Sequence, residues 1–94
     1  MLVIVVVRYK VTIEVIDILG EGECSMKQKV GDTYSYPEDR GKMCPSSFYV
    51  LYPWIMVMQS GGSFYGSEED HMTTGCPDYR HQVVYKISRK VVED

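Results

Sequence analysis

Met43-Cys-Pro-Ser-Ser-Phe-Tyr-Val-Leu-Tyr-Pro-Trp-Ile-Met-Val-Met-Gln-Ser-Gly-Gly62 is the one stretch of this 94-residue chain that reads as a substantial helix. Phe48, Leu51, Tyr52, Ile55 and Met58 recur at the three-and-four spacing of a single helical face. Gly61-Gly62 supplies the C-terminal stop, and Ser46 or Ser47 is placed to cap the start. Val50, Trp54, Met56 and Val57 make the other faces apolar, which predicts a helix covered on more than one side. Pro53 lies within the pattern, where a missing backbone donor predicts a kink or two short helices. Each large side chain buried here contributes roughly 1.5–3 kcal/mol, so this segment sets much of the core.

On either side of it the chain is written as strands and turns. Val7, Tyr9, Val11, Ile13 and Val15 alternate with polar neighbours, the period of a strand with one wet face. After Val15 the parity shifts to Ile16 and Ile18, which predicts a bulge before Gly20. Lys29 to Tyr36 reads as a Gly31-Asp32 turn feeding a strand, with Val30, Tyr34 and Tyr36 on one face and Asp32 as a turn former. Pro37 to Gly41 is a polar connection. Ser63 to Asp70 is polar and glycine-containing, the composition of a mobile loop, here spanning 63–70. His71 to Cys76 reads as a short strand stopped by Pro77 and a turn at Asp78. Val83, Tyr85, Ile87 and Val91 then repeat the alternation of the first strand. The order is β-β-α-β-β: an α+β domain with a small antiparallel sheet and one kinked or broken helix on one face.

Ninety-four residues make a single domain, 1–94. The net charge is −3 with a pI near 5.3, and the ten Lys and Arg are scattered, so the basic footprint of a nucleic-acid binder is missing. Leu2 to Val7 is apolar but too short for a bilayer span and lacks the flanks of a signal peptide, so a cytoplasmic protein without membrane attachment is expected. Residues 1–8 read as an apolar strand extension that needs cover, and a homodimer would provide it. In that compartment three cysteines are expected as thiols or ligands rather than disulfides. There is no phosphate-cradling glycine loop, serine triad pattern or dinucleotide fingerprint.

Chemistry therefore centres on the cysteines. Cys24 lies in a loop, Cys44 at the helix start and Cys76 at a strand end, and three such loops can meet at the N-terminus of the helix. Joined by His71 or His81, or by water, they form a candidate metal set, with zinc or an iron–sulfur cluster as the cofactor classes that suit thiolates. No Cys-x-x-Cys pair is present to strengthen that reading. Cys44 is the catalytic candidate, because the positive end of a helix dipole favours thiolate and thiolate is the nucleophile. Cys76-Pro77-Asp78 can present a thiol and a carboxylate on one turn. Against these stand inert buried cysteines in a purely structural, self-associating module, solvated histidines, and Met and Trp54 as core filler. Glu68-Glu69-Asp70 with His71 has hard-metal ligand types, although an acidic run is ordinarily a solvated face. The function reads as a small domain with a cysteine-lined metal- or ligand-binding site, its small-molecule ligand undefined, with thiol-dependent catalysis at Cys44 as the alternative.

Gly22 to Cys24, Val30-Gly31-Asp32, Cys44, Leu51-Tyr52-Pro53, Gly61-Gly62, Cys76-Pro77-Asp78 and Val84-Tyr85-Lys86-Ile87 occur in an order and spacing that carry a resemblance. From about Tyr9 to Arg89 the chain resembles a family of small prokaryotic proteins of similar length, with cysteines in these places and no established activity. Members often carry Cys-Pro at the first cysteine, whereas Ser25 follows Cys24 here, and the apolar extension before Tyr9 is longer than theirs. The resemblance implies the domain boundaries and the cysteine set, and leaves the function open.

Overall fold

The structure, a computed structural model, describes residues 9–20, 24, 26–62, 70–78 and 80–92. The apolar extension expected at 1–8 and nearly all of the loop expected at 63–70 lie outside the described residues. Strands β1 (Tyr9–Ile18) and β2 (Thr33–Tyr36) precede a 3-10 turn at Arg40–Lys42 and the helix α1 (Pro45–Gln59). Strands β3 (His71–Gly75) and β4 (Val83–Val91) follow. The four strands form one antiparallel sheet in the order β2-β1-β4-β3, with α1 against β1, β4 and β3. This is the expected α+β arrangement. The two long strands from opposite ends of the chain pair at its centre.

Alternation explains the layers. Val11, Ile13 and Val15 of β1 and Val83, Tyr85 and Ile87 of β4 point to one face and are fully buried beneath Leu51, Ile55 and Met58 of α1. The other face carries Thr12, Glu14, Lys86 and Ser88, with Glu14 directly across from Lys86. The bulge falls where the parity shift places it, between Val15 and Asp17. The Lys29–Asp32 turn docks there. Val15 N–H donates to the Asp32 carbonyl (2.9 Å), and Gly31 N–H donates to the Val15 carbonyl (2.8 Å). Asp32 closes the turn by accepting the Lys29 N–H. Tyr34 and Tyr36 pack on the core, but Val30 stands out in solvent, because it belongs to the turn and not to β2.

The helix departs from its periodicity in three ways. Its N-cap is Cys44, with Pro45 at the first helical position, while Ser47 is buried and bonded to a tyrosine instead of capping. Its buried stripe is Ser47, Leu51, Ile55 and Met58, so Tyr52 turns toward solvent. Pro53 is accommodated without splitting the helix in two. The carbonyl it leaves without a donor is that of Tyr49, a residue 83% exposed, and water can serve it.

Gly61 and Gly62 end α1 as expected. Gly62 N–H donates to the Val57 carbonyl and Gly61 N–H to the Met58 carbonyl, the paired bonds of a Schellman stop. Arg89 of β4 completes it. Its Nη1 donates to the Gly62 (2.5 Å) and Met58 (3.3 Å) carbonyls, and its guanidinium lies over the Tyr9 ring. A cation at the negative end of the helix joins helix to sheet. Among the described residues no helix is long and apolar enough to cross a membrane.

Candidate functional site: a cysteine-lined cleft at the start of the helix

Cys24, Cys44 and Cys76 line one cleft of about 320 Å³, together with Ser46, Ser47, Asp78 and His81. Three separate elements deliver the thiols. Cys76 extends the β3–β4 pairing by one residue: its N–H donates to the Val83 carbonyl (2.9 Å), and the Val83 N–H donates to its Sγ (3.2 Å). That sulfur is thereby fixed, and Cys76 is buried. Cys24, in the β1–β2 connection, is also buried. Cys44 is half-buried at the helix start, and its carbonyl accepts the Phe48 N–H that opens the helix.

The turn after Cys76 carries the charged wall. Asp78 Oδ1 accepts the backbone N–H of Arg80 (2.8 Å) and of His81 (3.3 Å). These two donors, Arg80 first, hold its carboxyl below the usual carboxylate range. The His81 Nδ1 is buried with no hydrogen-bond partner, and the ring lies beside Gly20. The cleft therefore combines an imidazole, a carboxylate and three thiols in one lining, the residue types of a base, its charged neighbour and a nucleophile.

Beneath the cleft lies a polar network that the sequence reading missed. Tyr85 is fully buried, and its hydroxyl bonds Gln28 Oε1 (2.5 Å) and Ser47 Oγ (2.8 Å). A phenol has one proton, so Tyr85 donates to the Gln28 carbonyl oxygen and accepts from Ser47. Ser47 also belongs to the cleft wall, which links the network to the site. Gln28 Nε2 is buried without a partner. The inward parity of Tyr85 in β4 was the available signal; nothing local marks Gln28 as buried.

This network predicts a pH dependence. Burial pushes the Tyr85 phenol up to about 12 from its ordinary 10.0, with the hydrogen bond from Ser47 opposing it. The folded state then holds its proton more tightly than the unfolded chain. Stability from this group is intact below pH 10 and declines as pH rises from there toward about 12. Thermal melts of the wild type should fall more steeply across that window than those of Tyr85→Phe. At neutral pH the variant should be less stable by about 1–2 kcal/mol for the lost hydrogen bonds. Parallel alkaline slopes would show that Tyr85 does not titrate in this window.

His71 is not part of the cleft. It opens β3 opposite Ser88, whereas the cleft borders the other end of that strand. At ~3.3 Å per residue it starts roughly 16 Å from Cys76. It also shares its sheet face with Thr73 and Lys86, opposite α1. Among the described residues no group of three or more His, Cys, Asp and Glu side chains is disposed to hold a metal ion. The three thiols share the lining of one cleft with a single histidine, His81. Compared with protein-family models, curated proteins and solved structures, the chain has no match.

Proposed function

We propose that the cleft is a cysteine-lined binding site for a small thiol-reactive ligand, with Cys44 as the nucleophile. The observation that carries this reading is the arrival of Cys24, Cys44 and Cys76 from three distant parts of the chain at one opening with His81 and Asp78. At about 320 Å³ the cleft falls at the small end of the roughly 300–1,000 Å³ typical of ligand sites, so the ligand is small. Cys44 is favoured over the other two because it alone is not buried and because it stands at the N-terminus of a 15-residue helix. His81 is the base within the same cleft. The cysteine set is also the part of the prokaryotic resemblance that we propose to be functional.

Alkylation tests this. With iodoacetamide near neutral pH, Cys44 thiolate displaces iodide, and peptide mapping should find it modified at least about tenfold faster than Cys24 and Cys76. Cys44→Ser should remove the fast phase, and His81→Gln should slow it. Uniform rates equal to those of the unfolded chain, or first reaction at Cys76, would leave the cysteines a structural role only.

A further inference from the structure

A second concavity, independent of the cysteine cleft, runs along the solvent side of α1. Its volume is about 700 Å³, and Met43, Phe48, Tyr49, Tyr52 and Pro53 line it with Arg40 at its edge. Pocket size and lining match a ligand groove: mostly apolar and aromatic, with a single charged group. The floor is prearranged, since the Phe48 and Tyr52 rings pack on one another (5.6 Å between centroids) and both pack on Tyr36 (6.1 and 6.3 Å). Tyr49 stands 83% exposed on the wall, and α1 carries no charged residue at all.

Charge identifies the occupant. The nearby Asp39 carboxylate is already engaged, by Lys42 (3.3 Å) and by the Ser35 N–H (2.9 Å). Arg40 is anchored through Nη1 to the Pro37 carbonyl (2.8 Å) and has no carboxylate partner among the described residues. Its remaining guanidinium donors are available in the planar fork that accepts a carboxylate in bidentate fashion. We propose that this groove binds a small carboxylate with an aromatic or similarly bulky apolar body, the acid on Arg40 and the body between Tyr49 and the Phe48–Tyr52 floor. A neutral or cationic molecule of the same shape would gain the apolar contact and lose the anchor.

Phenylbutyrate, phenylbutanol and phenylbutylamine, titrated into the full chain and followed by amide NMR, separate these contributions. The acid should shift the amides of Arg40 to Pro45 and Phe48 to Tyr52 saturably, at least about tenfold more tightly than the alcohol or amine. Arg40→Gln should reduce the acid to the affinity of the alcohol. Tyr49→Ser should weaken all three. Both positions are exposed, so neither substitution threatens the fold. Equal affinity for acid and alcohol would overturn the proposal, as would an Arg40→Gln variant that binds the acid unchanged. Shifts centred on Cys44, Cys76 and His81 would place the acid in the cysteine cleft and also overturn it. Concentration-dependent shifts of the same helix amides without any ligand would make the face a self-association surface instead. None of these outcomes depends on the reactivity of Cys44.

Discussion

Leu51→Ala should destabilise the domain by about 3–5 kcal/mol, a large share of the roughly 5–15 kcal/mol that holds a domain of this size together. Leu51 has no exposed surface and seats α1 among Val11, Ile13, Tyr85 and the other core residues. Truncation leaves a void that neither the sheet nor a helix fixed by Pro45 at one end and Arg89 at the other can readily close. Tyr52→Ala, one residue along, should cost far less. Tyr52 is 42% exposed and touches the Phe48 and Tyr36 rings at the surface of the packing. Tyr49→Ala, on the open face, should stay within about 0.5 kcal/mol of wild type. Urea unfolding with unchanged m-values would establish this ranking. Comparable losses at Leu51 and Tyr52 would mean that α1 faces the sheet with the stripe suggested by periodicity alone.

That contrast shows where the sequence is legible and where it is not. Strands β1 and β4 could be read because each has one wet face, and the bulge could be read because Ile16 breaks the alternation. The helix could be located but not oriented. Nearly every position of α1 is apolar, so no polar stripe marks the side that faces away, and the buried Ser47 looks like a surface or capping residue. What places Ser47 inside is the hydroxyl of Tyr85, 38 residues away in sequence, and no local pattern contains that fact. Arg89 is a similar case. It occupies an inward position of β4, pairing with Val11, but a charge at a strand end reads as surface. Only the carbonyls at the end of α1 explain its direction.

The cysteine cleft was partly legible for a topological reason. Cys24, Cys44 and Cys76 each sit at the end of an element or in a connection, and in an antiparallel sheet with one helix such ends gather at a few edges. His81 belongs with them because the Asp78 turn folds it back beside Cys76. His71 was indistinguishable from it by residue type and flanking polarity. Pairing register separates the two, because it sets His71 opposite Ser88, five residues before Cys76, while His81 lies on the turn that lines the cleft. Of the five candidate ligands, Cys24, Cys44, Cys76 and His81 line the cleft and His71 does not.

Gly20→Ala should disturb both the fold and this cleft. Gly20 ends the β1 segment with φ +85°, a conformation costing an L-residue about 1–2 kcal/mol. Its added Cβ would also overlap the Arg80 carbonyl oxygen and approach the His81 Nδ1 to 3.8 Å. Backbone cannot swing aside as a side chain can, so the Arg80–His81 turn must move, at a further cost of about 1–3 kcal/mol. Gly31→Ala is the matching control. It has φ +100° with nothing within 4 Å of an added Cβ, so only the conformational cost applies. Gly20→Ala is therefore expected to lose about 2–5 kcal/mol and Gly31→Ala about 1–2 kcal/mol. Amide shifts should spread through Arg80 to Val83 in the first variant and stay local in the second. The fast alkylation of Cys44 should slow in Gly20→Ala, because His81 is carried on the displaced turn, and should persist in Gly31→Ala. Equal stability losses in the two variants would show that the Gly20–Arg80 contact does not constrain the turn. An unchanged Cys44 rate in a destabilised Gly20→Ala would separate His81 from the chemistry of the thiol.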